Sequence, residues 1–325
     1  MYKTFFNLQR NPFEIAPDPA FMFPTQRHNE ALAALYYGVQ RRKGFVVMTG
    51  EVGTGKTLVV RCLLELLNRQ SVTYAYVFNS RLFPEEFLRY VSGDLGIPGK
   101  SKSKSELLLD LSAYLVGRYQ RTLTTVLVVD EAHHLATEVL EEIRLLTNLE
   151  TADQKLLQIL LVGQPELDHK LDSVELRQLK QRIAWRSHLD PLSREETAGY
   201  IHRRMRIAGA NSHADSLFPP ETIETIYRHA RGIPRLINTV CENVLINAYA
   251  RQSATVTPSM IEEAAYDLRL GIVSMAADEA KKSGDDDLRR ALKTLLDVSK
   301  ALHGAGPQQK EIIKMRVVAG ADSDE

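Results

Sequence analysis

The sequence predicts an α/β fold in which one parallel β-sheet is covered by helices on both faces. Five short apolar runs within the first 190 residues are separated by stretches of helical periodicity. The runs are continuous and do not alternate with polar residues, as expected when both faces of a parallel sheet are buried. No comparable strand pattern follows residue 193, so we expect the remaining ordered chain to be helical.

These patterns also place the strands and helices along the chain. The strands are expected at 44–49, 72–78, 124–129, 157–162 and 183–189. The helices between them are expected at 29–43, 58–68, 84–95, 105–121 and 137–149. The fifth strand has the weakest pattern, because polar and charged residues interrupt it.

Composition divides the chain into four parts. Residues 1–28 are rich in aromatic residues and proline and are expected to form an ordered lead-in without regular structure. Residues 29–191 form the predicted α/β domain, and residues 192–271 form a small all-helical domain. Residues 272–325 are polar and charged, so we expect a mobile tail with one amphipathic helix near 285–302.

Charge and cysteine content argue against several classes of protein. The chain has 325 residues with 41 basic and 41 acidic side chains, and this balance disfavours a dedicated nucleic-acid binder. Its two cysteines, Cys62 and Cys241, do not make a disulfide framework. We recognise no secretory leader and no membrane-spanning run. The expected location is the cytoplasm, with a peripheral position at the inner membrane left open.

A glycine-rich loop follows the first predicted strand and precedes a helix. Its sequence, GEVGTGKT at 50–57, fits the spacing G-x-x-x-x-G-K-[ST]. The backbone N–H groups of such loops curl around the phosphates of a nucleotide, and the lysine reaches the β- and γ-phosphates. The residues predicted to bind the nucleotide are Gly50, Glu51, Val52, Gly53, Thr54, Gly55, Lys56, Thr57 and Leu58.

An acidic pair ends the third predicted strand, in VLVVDEAHHL at 126–135. Four apolar residues followed by Asp-Glu match the second nucleotide motif of P-loop ATPases. Asp130 is predicted to bind Mg²⁺ together with the Thr57 hydroxyl, and Glu131 to polarise the attacking water. A pair that merely caps the next helix is the alternative, which the presence of the phosphate loop disfavours.

Further polar residues near these motifs carry weaker signals. Gln164 ends the fourth predicted strand in LLVGQPEL, where it could hold the attacking water or sense the γ-phosphate. A polar residue at a strand end is also common without such a role. His133 and His134 are adjacent and do not share a helix face as an i, i+4 metal pair would, so we interpret them as structural or surface residues.

Three arginines are candidates for contact with a phosphate. Arg177 and Arg182 precede the fifth predicted strand, from which an arginine could project into the nucleotide of a neighbouring subunit. A solvated helix face is an equally good interpretation of Arg182. Arg235 begins a helix of the second domain in RGIPRLIN, and from there it could reach the same nucleotide and couple the position of that domain to the phosphate state.

Together, these motifs resemble those of an AAA+ ATPase of the ExeA-like group, general secretion pathway component A. The resemblance covers about residues 1–270 and rests on MYKTFFNLQRNPFEIAPDPAFMF, GFVVMTGEVGTGKT, VLVVDEAHHL, LLVGQPEL, LKQRI and GIPRLIN. It implies a P-loop NTPase αβα sandwich with a five-stranded parallel sheet, a helical lid, and assembly into a ring or dimer. ATP and Mg²⁺ are the ligands it implies.

The same resemblance implies roles for three residues. Gln164 matches sensor 1, Arg182 the arginine finger and Arg235 sensor 2. Secretion-type members continue into a transmembrane helix and a peptidoglycan-binding module, and neither pattern follows Gly271. We therefore expect a soluble form of the group, and related soluble members are associated with polysaccharide export and envelope sorting.

Two functions from different classes follow. The first is a Mg²⁺-dependent ATPase whose cycle drives assembly or operation of an envelope secretion or polysaccharide-export complex, with copies of itself and export proteins as partners. The second is an ATP-switched DNA-binding adaptor of the transposition target-selection type. Only RRK at 41–43 and KSKSK at 100–104 support the second. The neutral charge favours the first, because DNA binding needs a sustained surface that contacts phosphates.

Overall fold

The computed structural model describes residues 2–68, 72–78, 81–99, 101–210 and 214–270. Its strands are β1 Phe45–Gly50, β2 Val72–Val77, β3 Thr124–Val129, β4 Leu157–Gly163 and β5 Trp185–Leu189. They form one sheet in the order β2-β3-β4-β1-β5, in which every neighbouring pair is parallel. The predicted five-stranded parallel sheet is confirmed.

Helices lie between the strands and after them. Up to the fifth strand they are α1 Tyr2–Phe5, α2 Gln26–Gln40, α3 Lys56–Asn68, α4 Pro84–Asp94, α5 Lys104–Gln120, α6 Thr137–Leu146, α7 Glu166–Leu171 and α8 Arg177–Lys180. After it they are α9 Arg194–Ile207, α10 Ala214–Leu217, α11 Pro220–Ala230, α12 Pro234–Ala250 and α13 Pro258–Asp267. Two 3₁₀ turns, Pro19–Phe21 and Ala132–His134, complete the set of described helical elements. No helix in the described parts of the chain is long and apolar enough to cross a membrane.

Both faces of the sheet are buried, each in its own apolar cluster. On one face Val47 and Leu127 pack against α4, α5 and α6. On the other face Val46 and Val128 pack against α2 and α3. Because neighbouring residues of a strand point to opposite faces, burial of both faces requires the continuous apolar runs seen in the sequence.

The fifth strand lies at an edge of the sheet, next to β1. Trp185 is 56% exposed, whereas Leu189 at the other end of the strand is buried. The strand begins at Trp185, two residues later than the predicted start. An edge strand that is partly exposed needs fewer apolar residues, which explains the weak sequence pattern.

After the sheet, the described residues 194–210 and 214–270 are mainly helical, as predicted. The first of these helices, α9, begins with a capping box in which the Glu196 N–H donates to Ser193 Oγ and the Ser193 N–H donates to the Glu196 carboxylate. Residues Met1–Ala264 form one compact unit that includes the sheet and most of these helices. Of the second unit, Ala265–Glu325, the structure describes only residues 265–270.

The predicted domain boundaries therefore stay predictions. The boundaries after residues 28 and 191 fall inside the compact unit, whose contacts do not divide there. The tail expected at 272–325, with its helix near 285–302, lies outside the described residues.

The lead-in packs against the helices that follow the sheet. The Gln9 N–H donates to the Ala208 carbonyl at 2.7 Å, and the Phe13 ring meets the Phe218 ring edge-on with centroids 5.8 Å apart. The guanidinium of Arg204 on α9 donates to the Pro12 carbonyl. The amino-terminal segment is thus fixed over the helical part of the chain, although more than 190 residues separate these partners.

Candidate functional site

The glycine-rich loop lies at the carboxyl end of β1, between that strand and α3. Gly53 and Gly55 have φ angles of +83° and +103°, which side chains other than glycine rarely adopt. A Cβ on Gly53 would lie 2.8 Å from the Cβ of Arg235, and one on Gly55 would lie 3.2 Å from His28 Nε2. The glycines therefore serve both the tight turn and the close approach of neighbouring elements.

Lys56 is buried within this loop. Its ammonium donates to the carbonyls of Gly50 and Glu51 at 2.7 and 2.8 Å, and the residue is 6% exposed. Burial lowers the pKa of Lys56, while the carboxylates of Glu131 and Asp130 act in the opposite direction. A cation thus lies inside the turn that is predicted to hold phosphates.

Asp130, which directly follows β3, accepts hydrogen bonds from two hydroxyl groups. Its Oδ2 accepts hydrogen bonds from Thr57 Oγ1 at 3.1 Å and from the Tyr76 hydroxyl at 2.8 Å. Burial and the neighbouring Asp130 raise the pKa of Tyr76, so the phenol keeps its proton and remains a donor. An uncharged hydroxyl beside a carboxylate is the oxygen-only chemistry that suits Mg²⁺.

Glu131 has a left-handed backbone conformation, with φ 52° and ψ 36°. Its N–H donates to Asp130 Oδ1 at 2.9 Å, which ties the two acidic residues together. A residue other than glycine in this region costs about 1 kcal/mol or more, and active sites are one of the places where such residues cluster. The side chain is 45% exposed and lines the cleft above the loop.

The structure brings His133 between two predicted site residues. His133 Nδ1 lies 3.5 Å from Glu131 Oε2, and His133 Nε2 lies 2.9 Å from the side-chain amide of Gln164. The His133 side chain is 7% exposed, and burial, with the adjacent His134, lowers its pKa. The sequence pattern indicates no ligand partner for the two histidines, whereas the fold places Glu131 beside both of them.

The two arginines assigned by the resemblance lie in different places. Arg235, at the start of α12, lines the cleft, and its N–H donates to the Gly53 carbonyl at 3.2 Å. Arg182 is exposed at the amino end of the sheet, where a hydrogen bond from Lys155 and the charge of Arg182 lower the pKa of Glu150. Of these two arginines, only Arg235 contacts the phosphate loop of its own chain.

The cleft has a volume of about 130 Å³ and lies between two walls. One wall comes from the phosphate loop, Glu131 and Gln164. The opposite wall comes from residues that the sequence analysis did not select: Glu14, Ile15, Ala16, Pro17, Asp18, Tyr200, Arg204, Pro234 and Asn238. The lead-in motif NPFEIAPDP was noted only as part of a resemblance, and nothing in its spacing shows that it forms a wall of the site.

Buried polar contacts hold this second wall together. The Tyr200 hydroxyl donates to Asn238 Oδ1 at 2.8 Å and accepts from Arg204 Nη1 at 3.0 Å. The guanidinium of Arg204 also donates to the Glu14 carbonyl and lies 4.6 Å from the centre of the Phe21 ring. The lead-in and the helices α9 and α12 are therefore joined at the cleft.

His28 makes a contact with the phosphate loop that the sequence did not predict. Its Nε2 lies 3.1 Å from the Thr54 carbonyl of the phosphate loop, and its Nδ1 lies 2.7 Å from Thr25 Oγ1. Because a carbonyl can only accept, Nε2 carries the proton and Nδ1 accepts from the threonine hydroxyl. Burial lowers the pKa of His28, which favours this neutral form. A single histidine in a helix gives no sequence signal for such a contact.

Comparison with known proteins agrees with the geometry of the site. Residues 39–171 match the family model described as an AAA domain. General secretion pathway protein A of Aeromonas hydrophila is 44% identical over 269 residues, which make up 82% of this chain and 48% of that protein. The chain thus spans about half the length of this relative.

Solved structures of low sequence identity share the fold. The Drosophila ORC bound to DNA has a TM-score of 0.62 at 18% identity and covers 98% of this chain and 84% of its own. The Aeropyrum pernix ORC1 protein in complex with DNA has a TM-score of 0.60 at 18% identity, and the match covers 80% of this chain and 69% of that one. The phosphate loop, the acidic pair and the sequence relative agree with one another: residues 39–171 match an AAA domain, and 82% of the chain is similar to general secretion pathway protein A.

Proposed function

We propose that the chain is a Mg²⁺-dependent ATPase that converts ATP and water into ADP and phosphate. The observation that supports this most strongly is the meeting of Lys56, Glu131 and the bonded pair Thr57–Asp130 at the carboxyl end of one sheet. A buried cation, a site for a hard metal ion and a carboxylate for water are the parts that phosphoryl transfer requires.

The phosphate loop binds the nucleotide in this proposal. Lys56 exchanges its hydrogen bonds to the loop carbonyls for oxygens of the β- and γ-phosphates. The N–H groups of the loop and the first turn of α3 donate to the same phosphates, because the helix begins at Lys56. Binding and charge neutralisation are both local to this loop.

Thr57 and Asp130 fit a magnesium ion. Both offer oxygen atoms, the two atoms are already 3.1 Å apart, and Tyr76 orients the carboxylate from the far side. When bound, Mg²⁺ supplies neutralisation of the charge that develops on the β- and γ-phosphate oxygens.

Glu131 acts on the attacking water. Its carboxylate lines the cleft, and its left-handed backbone turns it away from the buried end of β3. Glu131 orients the water and accepts its proton, while Gln164 on the neighbouring strand β4 holds the water or senses the γ-phosphate. His133, which lies between these two side chains, keeps their separation fixed.

Arg235 and Arg182 have different roles in this proposal. Arg235 reads the phosphate state from α12, since it contacts the loop directly. Arg182 is far from the cleft of its own chain, so it acts in the cleft of a neighbouring copy. Hydrolysis therefore depends on self-association into a ring or dimer.

The biological role follows from the sequence relative. General secretion pathway protein A is 44% identical to this chain over most of its described length, so we propose that the ATPase cycle drives an envelope secretion or polysaccharide-export complex. Its expected site of action is the cytoplasm, including the inner surface of the inner membrane.

A DNA-binding adaptor is the alternative, and the contacts of its supporting residues weaken it. Two of the three lysines in KSKSK are paired with carboxylates, Lys102 with Asp110 and Lys104 with Glu142. DNA binding that falls steeply with salt would restore this alternative.

Turnover measurements with Lys56→Ala test the enzyme proposal. The variant is expected to bind ATP weakly and to release no phosphate above background, while a melting curve shows that it remains folded. Lys43→Ala removes an exposed lysine at the opposite end of β1 and is the matched control. Turnover of Lys56→Ala at the parental rate would show that this loop is not the active site.

A further inference from the structure

Three potential metal ligands converge at the rim of the cleft. The side chains of Glu131, His133 and His134 each offer one ligand atom, and these atoms all lie within 4.8 Å of one another. His133 Nδ1 lies 3.5 Å from Glu131 Oε2. The 3₁₀ turn Ala132–His134 brings the three together, because it folds the chain back directly after Glu131.

The donor set differs from that of the magnesium site beside it. Two imidazoles and one carboxylate suit a borderline-soft divalent ion such as zinc, which is commonly bound by three protein ligands and a water. Mg²⁺ prefers oxygen ligands and keeps much of its water, so it has no preference for the histidines. The two cation sites thus differ in chemistry, although one uses Asp130 and the other uses the adjacent residue Glu131.

One of the ligands is already held in place. The His133 ring is almost fully buried, and its Nε2 lies 2.9 Å from Gln164 Nε2. A half-turn of the Gln164 amide exchanges its nitrogen and oxygen, so that the oxygen accepts the ring N–H. A partner of this kind on the outer nitrogen is typical of metal-binding histidines. The inner nitrogen, Nδ1, then faces Glu131, and only a long 3.4 Å contact from the Gln164 N–H competes for it.

The other histidine completes the set. His134 is exposed, and its ring lies beside that of His133 with centroids 3.9 Å apart. Zinc–nitrogen bonds of about 2.0 Å require the ligand atoms to approach more closely than they do here. An exposed ring can make this adjustment by rotating about its side-chain bonds, without movement of the backbone.

We propose that Glu131, His133 and His134 bind one zinc ion, and that this ion inhibits hydrolysis by occupying Glu131 while the nucleotide still binds. The binding site stands on its own residues; the inhibition rests on the proposed ATPase function. Nucleotide binding is retained because Lys56 and the phosphate loop take no part in the zinc site. Inhibition by zinc is therefore not overcome by more ATP or more Mg²⁺.

Direct zinc binding is tested without nucleotide. The full chain is titrated with zinc chloride against a chromogenic zinc indicator, and His134→Gln is compared with His169→Gln, which removes another exposed histidine. Loss of a direct ligand is expected to weaken binding by about tenfold or more, since even outer partners of a ligand are worth about 10- to 100-fold. Equal zinc affinity in the parent and His134→Gln would overturn the proposal.

The effect on hydrolysis is measured separately, with each variant compared with its own zinc-free rate. Zinc is expected to stop phosphate release by the parent and by His169→Gln, but only at higher concentration in His134→Gln, while a fluorescent ATP analogue stays bound. Inhibition that excess Mg²⁺ relieves, and that His134→Gln leaves unchanged, would place the zinc ion on Thr57 and Asp130 instead and overturn the proposal. Zinc binding through His134 in a protein without turnover would sink the proposed ATPase but not the site.

Discussion

The two ends of the sheet differ in what they offer a nucleotide. At the carboxyl end Lys56, Thr57 and Asp130 meet in buried contacts beside a cleft. At the amino end the chain has exposed cations, Arg182 and Arg121 among them, which make no ion pair within the described residues. One end holds the candidate site, and the other presents exposed cations.

The distance between the ends explains why they cannot serve the same nucleotide in one chain. Arg182 lies two residues before Ala184, whose N–H donates to the Phe45 carbonyl at the start of β1. The phosphate loop begins at the other end of that strand, about 17 Å away at about 3.3 Å per residue. An arginine side chain is much shorter than this. The comparison therefore favours a site that two copies of the chain complete.

Substitution of Arg182 tests whether two copies of the chain complete one site, and it has the largest expected effect. Arg182→Ala should bind ATP nearly as the parent does, because the residue does not line its own cleft. Its hydrolysis rate should fall by about 10³- to 10⁵-fold, the contribution of an arginine supplied to phosphoryl transfer in trans. Nucleotide binding is followed with a fluorescent analogue, and turnover by phosphate release.

A mixing experiment separates action in trans from a structural defect. Glu131→Gln should also bind ATP and stall, since its own chain can no longer orient the water. Mixed with Arg182→Ala under conditions in which subunits exchange, it should restore part of the activity, because one mixed interface pairs an intact Glu131 with an intact Arg182. Arg121→Ala is the control for loss of an exposed cation at the same end. Without rescue, Arg182 does not act in trans, and Arg177 becomes the next candidate.

At the carboxyl end of the sheet, substitution of Tyr76 tests the metal site and has an intermediate expected effect. Tyr76→Phe removes the hydrogen bond to Asp130 but keeps the ring that packs beside it. The Mg²⁺ concentration for half-maximal turnover should rise by about 10-fold, and by at most about 100-fold, as for other partners of metal ligands. Tyr74→Phe, on the same strand and without a bond to Asp130 in the described contacts, should leave it unchanged. An equal Mg²⁺ requirement in both variants would mean that the Tyr76 hydrogen bond does not support a metal ligand at Asp130.

The two ends of the sheet also differ in how much of them the sequence predicts. The phosphate loop and the acidic pair are local motifs whose spacing indicates the turn that they form, so Lys56 and Asp130 could be selected as candidates from the sequence. The central strands of the sheet were predicted correctly because burial on both faces requires continuous apolar runs. Only β5, exposed at an edge, was placed less well.

The second wall of the cleft could not be predicted in this way. Arg204 and Glu14 are 190 residues apart and meet only through the packing of the lead-in on α9. Their residue types are ordinary for a helix surface and a loop, and one sequence has no spacing that links them. The grouping of Glu131 with His133 was missed for a related reason: the helical periodicity used to judge the pair does not apply to a 3₁₀ turn.

The smallest expected effect concerns His28, which joins the lead-in to the phosphate loop. His28→Ala leaves the Thr54 carbonyl without its buried donor, which costs about 1–3 kcal/mol of folding free energy. Because Thr54 belongs to the loop, the half-saturating ATP concentration should rise by up to about tenfold, with little change in the maximal rate. His169→Ala, at an exposed position, is the control for both measurements.

The pH dependence of stability separates this contact from a general packing defect. Burial holds the pKa of His28 below its ordinary value, against smaller opposing effects of the Thr54 carbonyl and the Glu196 carboxylate. The unfolded chain therefore binds a proton more readily than the folded chain, and the free energy of unfolding decreases as pH falls below about 6.5. The parent should lose more stability than His28→Ala between pH about 7.5 and about 5.5, as measured by urea denaturation. Since both proteins keep His133, whose pKa is also lowered, an equal loss in the two would show that His28 is not the neutral, buried link between the lead-in and the phosphate loop.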